Sequence, residues 1–439
     1  MRFKEIQMTD RLLRFRLGAL ALAGVLLVAA CGSGGSASNR DVLHLAYLSD
    51  MSTPDPDVFY DIEGNTVILS VYQSLLQYKP DSTQLEGSLA TSWIKSPDGL
   101  TYTFTLRSGV KFSDGTTLDS KAVETSFQRR TNVNQASGYM LADVDHYETP
   151  SPLTFVVVLK APVTPFLDFM ASAWAPKVIS AKALTDNAGT DFAQTWAQTH
   201  MDGTGPYMLT KFDRGHQYVL ERNPNFWGPV PHFKEIDIAI EPNMETQRLE
   251  LNQGNLDAIL HSYPVAELGS AKSNSSLKVL ESNSFLMPLI YFNLTKTGSP
   301  LGDVKVRKAL AQAMDIPGLV SSVYGDIGSL STSVYPKDQF DPTLAPITYT
   351  YDLNAAKAVL PKNLNITIAY TSDESGIERR SADLIQQKLA LAGVTATESE
   401  VQLTTVYNYI SSQSALDAAP DILLATNTPD AANPYTYGN

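Results

Sequence analysis

The sequence predicts a mixed α/β (α+β) protein of more than one lobe, and three observations carry that prediction. Leu100, Tyr102, Phe104 and Leu106 alternate with Thr101, Thr103 and Thr105, a period of two that marks a half-buried strand. Val306, Ala309, Leu310, Ala313 and Met314 recur at helical spacing behind Asp303, a residue type suited to cap a helix. The chain has 439 residues, enough for two or three lobes at ~150 residues each.

The elements follow in order. Arg2, Lys4, Arg11, Arg14 and Arg16 form a basic start, and Leu17 to Ala30 is then free of charge. At about 14 residues this run suits a secretory signal and falls short of the ~20 apolar residues of a membrane span. Residues 1–30 are therefore expected to be a signal peptide. Val28-Ala29-Ala30-Cys31 resembles a bacterial lipobox, which implies lipid attachment at Cys31, the only cysteine. Gly32 to Arg40 lacks apolar periodicity, so residues 31–40 read as a flexible tether.

Asp41 to Leu48 reads as a buried strand ended by Pro54 and Pro56, and Val67 to Leu76 as an apolar helix. Residues 81–200 read as an antiparallel sheet with short helices, among them Ser120 to Arg129, with Leu153 to Leu159 as a second strong strand. Tyr207 to Phe212 and Gln217 to Glu221 form a hairpin through Asp213-Arg214-Gly215. From about residue 286 the pattern turns to βα. Leu289 to Leu294 is a strand, Asp303 opens a helix, and Leu364, Ile366, Ile368 and Tyr370 alternate as a strand. A helix from about Glu378 stops at Gly393, and Ile422 to Ala425 is one more buried strand.

The whole chain carries −13 and the first thirty residues +3, so the remainder carries −16. That balance argues against a nucleic-acid partner. With one cysteine, placed at the anchor, the folded part has no thiol for disulfides, metal binding or nucleophilic attack. His44, His146, His200, His216, His232 and His261 show no metal-ligand spacing. Neither a G-x-S-x-G elbow nor a phosphate-binding loop is present. Gly203-Thr-Gly-Pro-Tyr207 fails the dinucleotide pattern at Met208 and reads as a rigid loop set by Pro206. No metal, cofactor or catalytic group is expected. Twenty Tyr, sixteen Phe and four Trp could line a pocket as well as a core. On residues alone the chain is an exported binding protein, a carbohydrate- or peptide-cleaving enzyme, or a signalling or chaperone lipoprotein.

A set of blocks in order narrows this. Leu89-Ala-Thr-Ser-Trp93, Ser96-Pro-Asp-Gly99, Tyr102-Thr-Phe104, Leu106 to Phe112 and Asp114-Gly115 come first. Gly203 to Tyr207 and Asn223-Pro-Asn-Phe-Trp227 follow, then Tyr291-Phe-Asn293, Asp303 to Arg307 and Ala309 to Asp315. Together they resemble the bacterial extracellular solute-binding proteins of family 5, the peptide- and nickel-type receptors of ABC importers. The resemblance implies a two-lobed clamp with an extra domain inserted in lobe I. Lobe I would span 41–80 and 201–285, the inserted domain 81–200, and lobe II 286–439. It implies hinge closure on a peptide or other small polar ligand, and delivery to ABC permease subunits by a monomer lipid-anchored outside the membrane.

It also implies site residues. Asn427-Thr-Pro-Asp430-Ala-Ala-Asn433-Pro434 matches a family run of tryptophan, aspartate, acid and proline. Asp430 then stands where peptide binders hold the ligand's α-ammonium, while Asn427 replaces the tryptophan and Asn433 the second acid. Glu63, Gly64 and Asn65 resemble the lobe I loop that faces the ligand backbone. Family members usually continue past this region, so lobe II is expected to be incomplete, with an apolar edge uncovered near the C-terminus.

Overall fold

A computed structural model describes residues 41–433, apart from 262, 283, 334, 337–345 and 372–375. The expected signal peptide, the tether and Cys31 lie outside the described residues, as do residues 434–439, on which the expected uncovered edge depends.

The chain opens with β1 (Val42–Tyr47), whose Leu45 and Tyr47 are buried. Helix α1 (Asn65–Val71) buries Val67, Ile68 and Val71 and stops at Tyr72, whose backbone is extended. The expected helix through Leu76 is therefore cut in half. Gly203 and Gly205 lie against its last turn, so close that a Cβ on them would sit 2.1 Å from the Val71 carbonyl oxygen and 2.4 Å from that of Ser70. The Gly205 amide donates to the Val71 carbonyl at 2.9 Å. The Leu75 carbonyl then accepts from Ser88 and Ala90, and β2 (Leu76–Tyr78) pairs with β3 (Leu85–Gly87). Backbone groups in this segment find better partners across the fold than along a helix.

Next come β4 (Ala90–Lys95), β5 (Thr101–Leu106), α2 (Ser120–Val133), β6 (Val144–Ser151) and β7 (Thr154–Leu159). The strands form an antiparallel sheet in the order β4-β5-β7-β6. Tyr102, Phe104 and Leu106 of β5 face its core, as their alternation predicts. Asp119 caps α2 by accepting from the Ala122 amide at 2.9 Å.

The chain then returns through β8 (Tyr207–Asp213), β9 (Gln217–Arg222) and β10 (Glu235–Ile240). The sheet order is β1-β10-β9-β8, with β1 parallel to β10. Helix α3 (Met244–Gln253) and a short helix at Leu268–Ser273 precede β11 (Met287–Phe292). After it come α4 (Val304–Ala313), α5 (Ile316–Tyr324), α6 (Leu353–Val359), β12 (Asn365–Thr371), α7 (Ile377–Leu391), β13 (Thr395–Val401) and β14 (Ile422–Asn427). Asp303 caps α4 through the Lys305 amide at 2.8 Å, and Val306, Ala309, Leu310 and Ala313 are buried. The sheet runs β11-β14-β12-β13, with β12 parallel to both neighbours.

Each four-stranded sheet has its own apolar core. One residue breaks the local pattern. Ala431, four residues beyond β14, is buried in the core of the β4–β7 sheet. The chain therefore crosses directly from the β11–β14 sheet to that body.

Candidate functional site

That crossing places a carboxylate among aromatic rings. Asp430 is half-buried, and its Oδ1 accepts from the Tyr60 hydroxyl at 2.5 Å. Its Oδ2 accepts from the Tyr139 hydroxyl, and its main-chain oxygen accepts from the Ser172 hydroxyl. The Tyr60 ring lies 5.1 Å from that of Trp174, tilted by 57°, and the Tyr139 ring stands edge-on to Phe169 at 5.7 Å. Each carboxylate oxygen keeps a further lone pair for a ligand donor.

A buried ion cluster holds the segments that carry these rings. Arg129 grips Asp55 with two bonds of 2.6 and 2.7 Å and also donates to Asp57 at 2.6 Å. Arg130, wholly buried, donates to Asp57 at 3.3 Å, to the Trp174 carbonyl at 2.7 Å and to the Ser137 hydroxyl. The two aspartates precede Tyr60, Ser137 precedes Tyr139, and the Trp174 carbonyl belongs to the third ring's own residue. One network therefore fixes all three. Burial pushes the Asp57 carboxyl up, against the pull of the two arginines.

The neighbouring contacts dock the chain. Tyr78 donates to Asp168 Oδ1 at 3.1 Å, and its oxygen accepts from the Ala432 amide at 3.0 Å. Asn433 donates its side-chain amide to Asp168 Oδ2 at 3.1 Å. Burial raises the Asp168 carboxyl, partly offset by the bonds from Asn433 and Tyr78. Asn433 thus touches Asp168, while Asp430 touches the two tyrosines.

The 63–65 loop lies differently. Gly64 takes φ +89°, and a Cβ there would meet the Met51 Cβ at 2.3 Å, so glycine is required. The Glu63 side chain turns inward. Its oxygens are buried without a hydrogen bond from the described residues, and Oε1 lies 3.2 Å from Nε2 of His261. The Asn65 side-chain oxygen is likewise buried and unbonded. The loop thus turns the Glu63 side chain away from solvent and leaves the neighbouring Ile62 exposed. Among the described residues no group of three or more His, Cys, Asp or Glu could hold a metal ion, and no helix is long and apolar enough to cross a membrane.

Sequence reasoning missed Tyr60, Tyr139, Ser172 and Trp174. No spacing marks them, because Tyr60 lies 370 residues and Tyr139 lies 291 residues from Asp430 along the chain.

The sequence profile described as bacterial extracellular solute-binding proteins, family 5 Middle, matches residues 84–439. The chain belongs to this family. Among relatives, the family-5 chain is 29% identical over 408 residues to the probable D,D-dipeptide-binding periplasmic protein DdpA of Escherichia coli K12, covering 91% of this chain and 77% of that protein. The periplasmic binding protein DppA from Helicobacter pylori, solved with the peptide STSA, shares its fold at TM-score 0.75 and 23% identity, over 90% of this chain and 80% of that one. NikZ from Campylobacter jejuni, solved with Ni(L-His), matches at TM-score 0.75 and 21% identity, over 91% and 79%. The two-lobed fold expected of a solute receptor is thus the fold of this family-5 protein.

Proposed function

We propose that this family-5 protein is the extracytoplasmic receptor of an ABC importer that takes oligopeptides or similar polar solutes bearing an ammonium group. Asp430 receives that group. The observation that carries the reading is the position of this carboxylate. It sits on the segment crossing between two separately cored bodies, half-buried and already oriented by two phenolic donors. A half-desolvated carboxylate held among rings favours a cation more than one in open water does. Relatives named for dipeptides and solved with a peptide support the ligand class.

In this reading residues 41–80 and 201–285 form lobe I, 81–200 the inserted domain and 286–439 lobe II. The ligand is enclosed as the lobes swing about the two crossings, near residues 241–286 and 428–433. The 63–65 loop faces the ligand with its backbone, and Asn433 holds the second crossing in place. Cys31 carries the lipid that keeps a monomeric receptor beside its permease, and the bound solute leaves unchanged.

Calorimetric titration with a tripeptide tests the reading. A charge-assisted hydrogen bond contributes about 1.5–3 kcal/mol. Asp430→Asn should therefore weaken binding roughly 10- to 150-fold, and N-acetylation of the peptide should cost the wild type a similar factor. Equal affinity for free and acetylated peptides would refute the assignment of Asp430.

A further inference from the structure

The rings that orient Asp430 are themselves exposed on one side, and their exposure is unusual in its placement. Tyr60 is 43% exposed and Tyr139 44%. Single exposed rings are ordinary, but two meeting at one polar anchor mark a binding surface. Two tyrosines whose hydroxyls meet on one carboxylate must flank it closely, and Trp174 extends the surface behind Tyr60.

The charge that hydrogen bonds place at this surface is acidic. Asp430 lies at its centre, and Asp61 follows Tyr60 in the chain. Arg129 and Arg130, whose network carries the rings, are buried and engaged by Asp55 and Asp57, so they cannot neutralise a ligand carboxylate there.

We infer that the receptor selects ligands whose first residue, the one bearing the ammonium held by Asp430, has an apolar and preferably aromatic side chain, and that it disfavours an acidic one. The inference rests on the assignment of Asp430 to the ammonium. That side chain leaves the same carbon as the ammonium, so it must lie within a few ångströms of the Asp430 carboxylate, where the Tyr60 and Tyr139 rings are. An aromatic group gains ring contact and buries area. A carboxylate gains neither and faces Asp430 across a short gap.

The test is calorimetric titration of the full chain with Phe-Ala-Ala, Ala-Ala-Ala, Lys-Ala-Ala and Glu-Ala-Ala. Phe-Ala-Ala should bind about tenfold more tightly than Ala-Ala-Ala, and Glu-Ala-Ala most weakly. Tyr60→Phe keeps the ring and should keep the Phe-over-Ala ratio while weakening every peptide. Tyr60→Ala should bring that ratio close to one. If Tyr60→Ala does not fold, the wild-type order and the Tyr60→Phe ratio decide. Equal binding of all four peptides, or a Lys-first peptide binding most tightly, overturns the inference and leaves the ammonium site standing. Failure of all four to bind a folded protein overturns the ammonium site and the selectivity with it.

Discussion

Lys177 lies behind the ring-bearing segment, almost fully buried, with its Nζ donating to the Ser74 hydroxyl at 2.9 Å. Burial first, and the charge of Arg130 second, bring its ammonium down to about 7 from the ordinary 10.5. The unfolded chain therefore holds a proton at this residue between about pH 7 and 10.5 that the folded chain releases. Stability from this group rises with pH across that window, and its cost is complete below about pH 7. Lys177→Met should accordingly raise stability at pH 7 by on the order of 1–3 kcal/mol, the gain being limited by the lost bond to Ser74. Urea unfolding at pH 7 and pH 9.5 checks this. The gain should shrink at the higher pH, and a gain independent of pH would show that Lys177 does not titrate as its burial implies. The buried arginines are paired, with unequal results: Arg129 rises against its burial through Asp55 and Asp57, whereas burial lowers Arg130 against the pull of Asp57. Removing Arg130 would leave Asp57 to Arg129 alone and take away the bonds from Arg130 to the Ser137 hydroxyl and the Trp174 carbonyl.

At the scale of elements, two glycines set where α1 ends. Gly205→Ala would drive a methyl group into the Ser70 carbonyl, and neither backbone can move without breaking the Gly205–Val71 hydrogen bond. The expected cost is about 1–3 kcal/mol, read as a lower urea midpoint with an unchanged slope. Local signals made several elements legible in the sequence. The alternation of β5, the Asp303 cap of α4 and the stop of α7 near Gly393, with φ +84°, all appear where the residues place them. Helix α1 was legible only in part, since its length depends on glycines about 130 residues away. The site divides in the same way. Asp430 stands out through a family resemblance, whereas Tyr60, Tyr139 and Trp174 look like any of the chain's forty aromatics. Only the crossing segment, seated by Ala431, brings them to one carboxylate.

At the scale of the molecule, three cores stand in one chain, and the described residues from Val42 onward form one compact unit. Peptide at a hundred times its Kd should add about 2.7 kcal/mol to that unit. The Ala432 amide shows how such a gain would be distributed. Its hydrogen-bond partner is the Tyr78 hydroxyl, a side chain of the opposite body, and not a carbonyl of any ladder. Its proton is therefore a timer for the crossing. It can trade with deuterium only when the 430–433 segment lifts from Tyr78, however firmly either sheet is folded. Ligand held by Asp430, two residues before it, should slow that trade several-fold, by hydrogen–deuterium exchange of peptides spanning residue 432, while the strand amides of β5 and β12 keep their own pace. The receptor would then keep a record of occupancy at one backbone proton, readable without any label on the solute it carries.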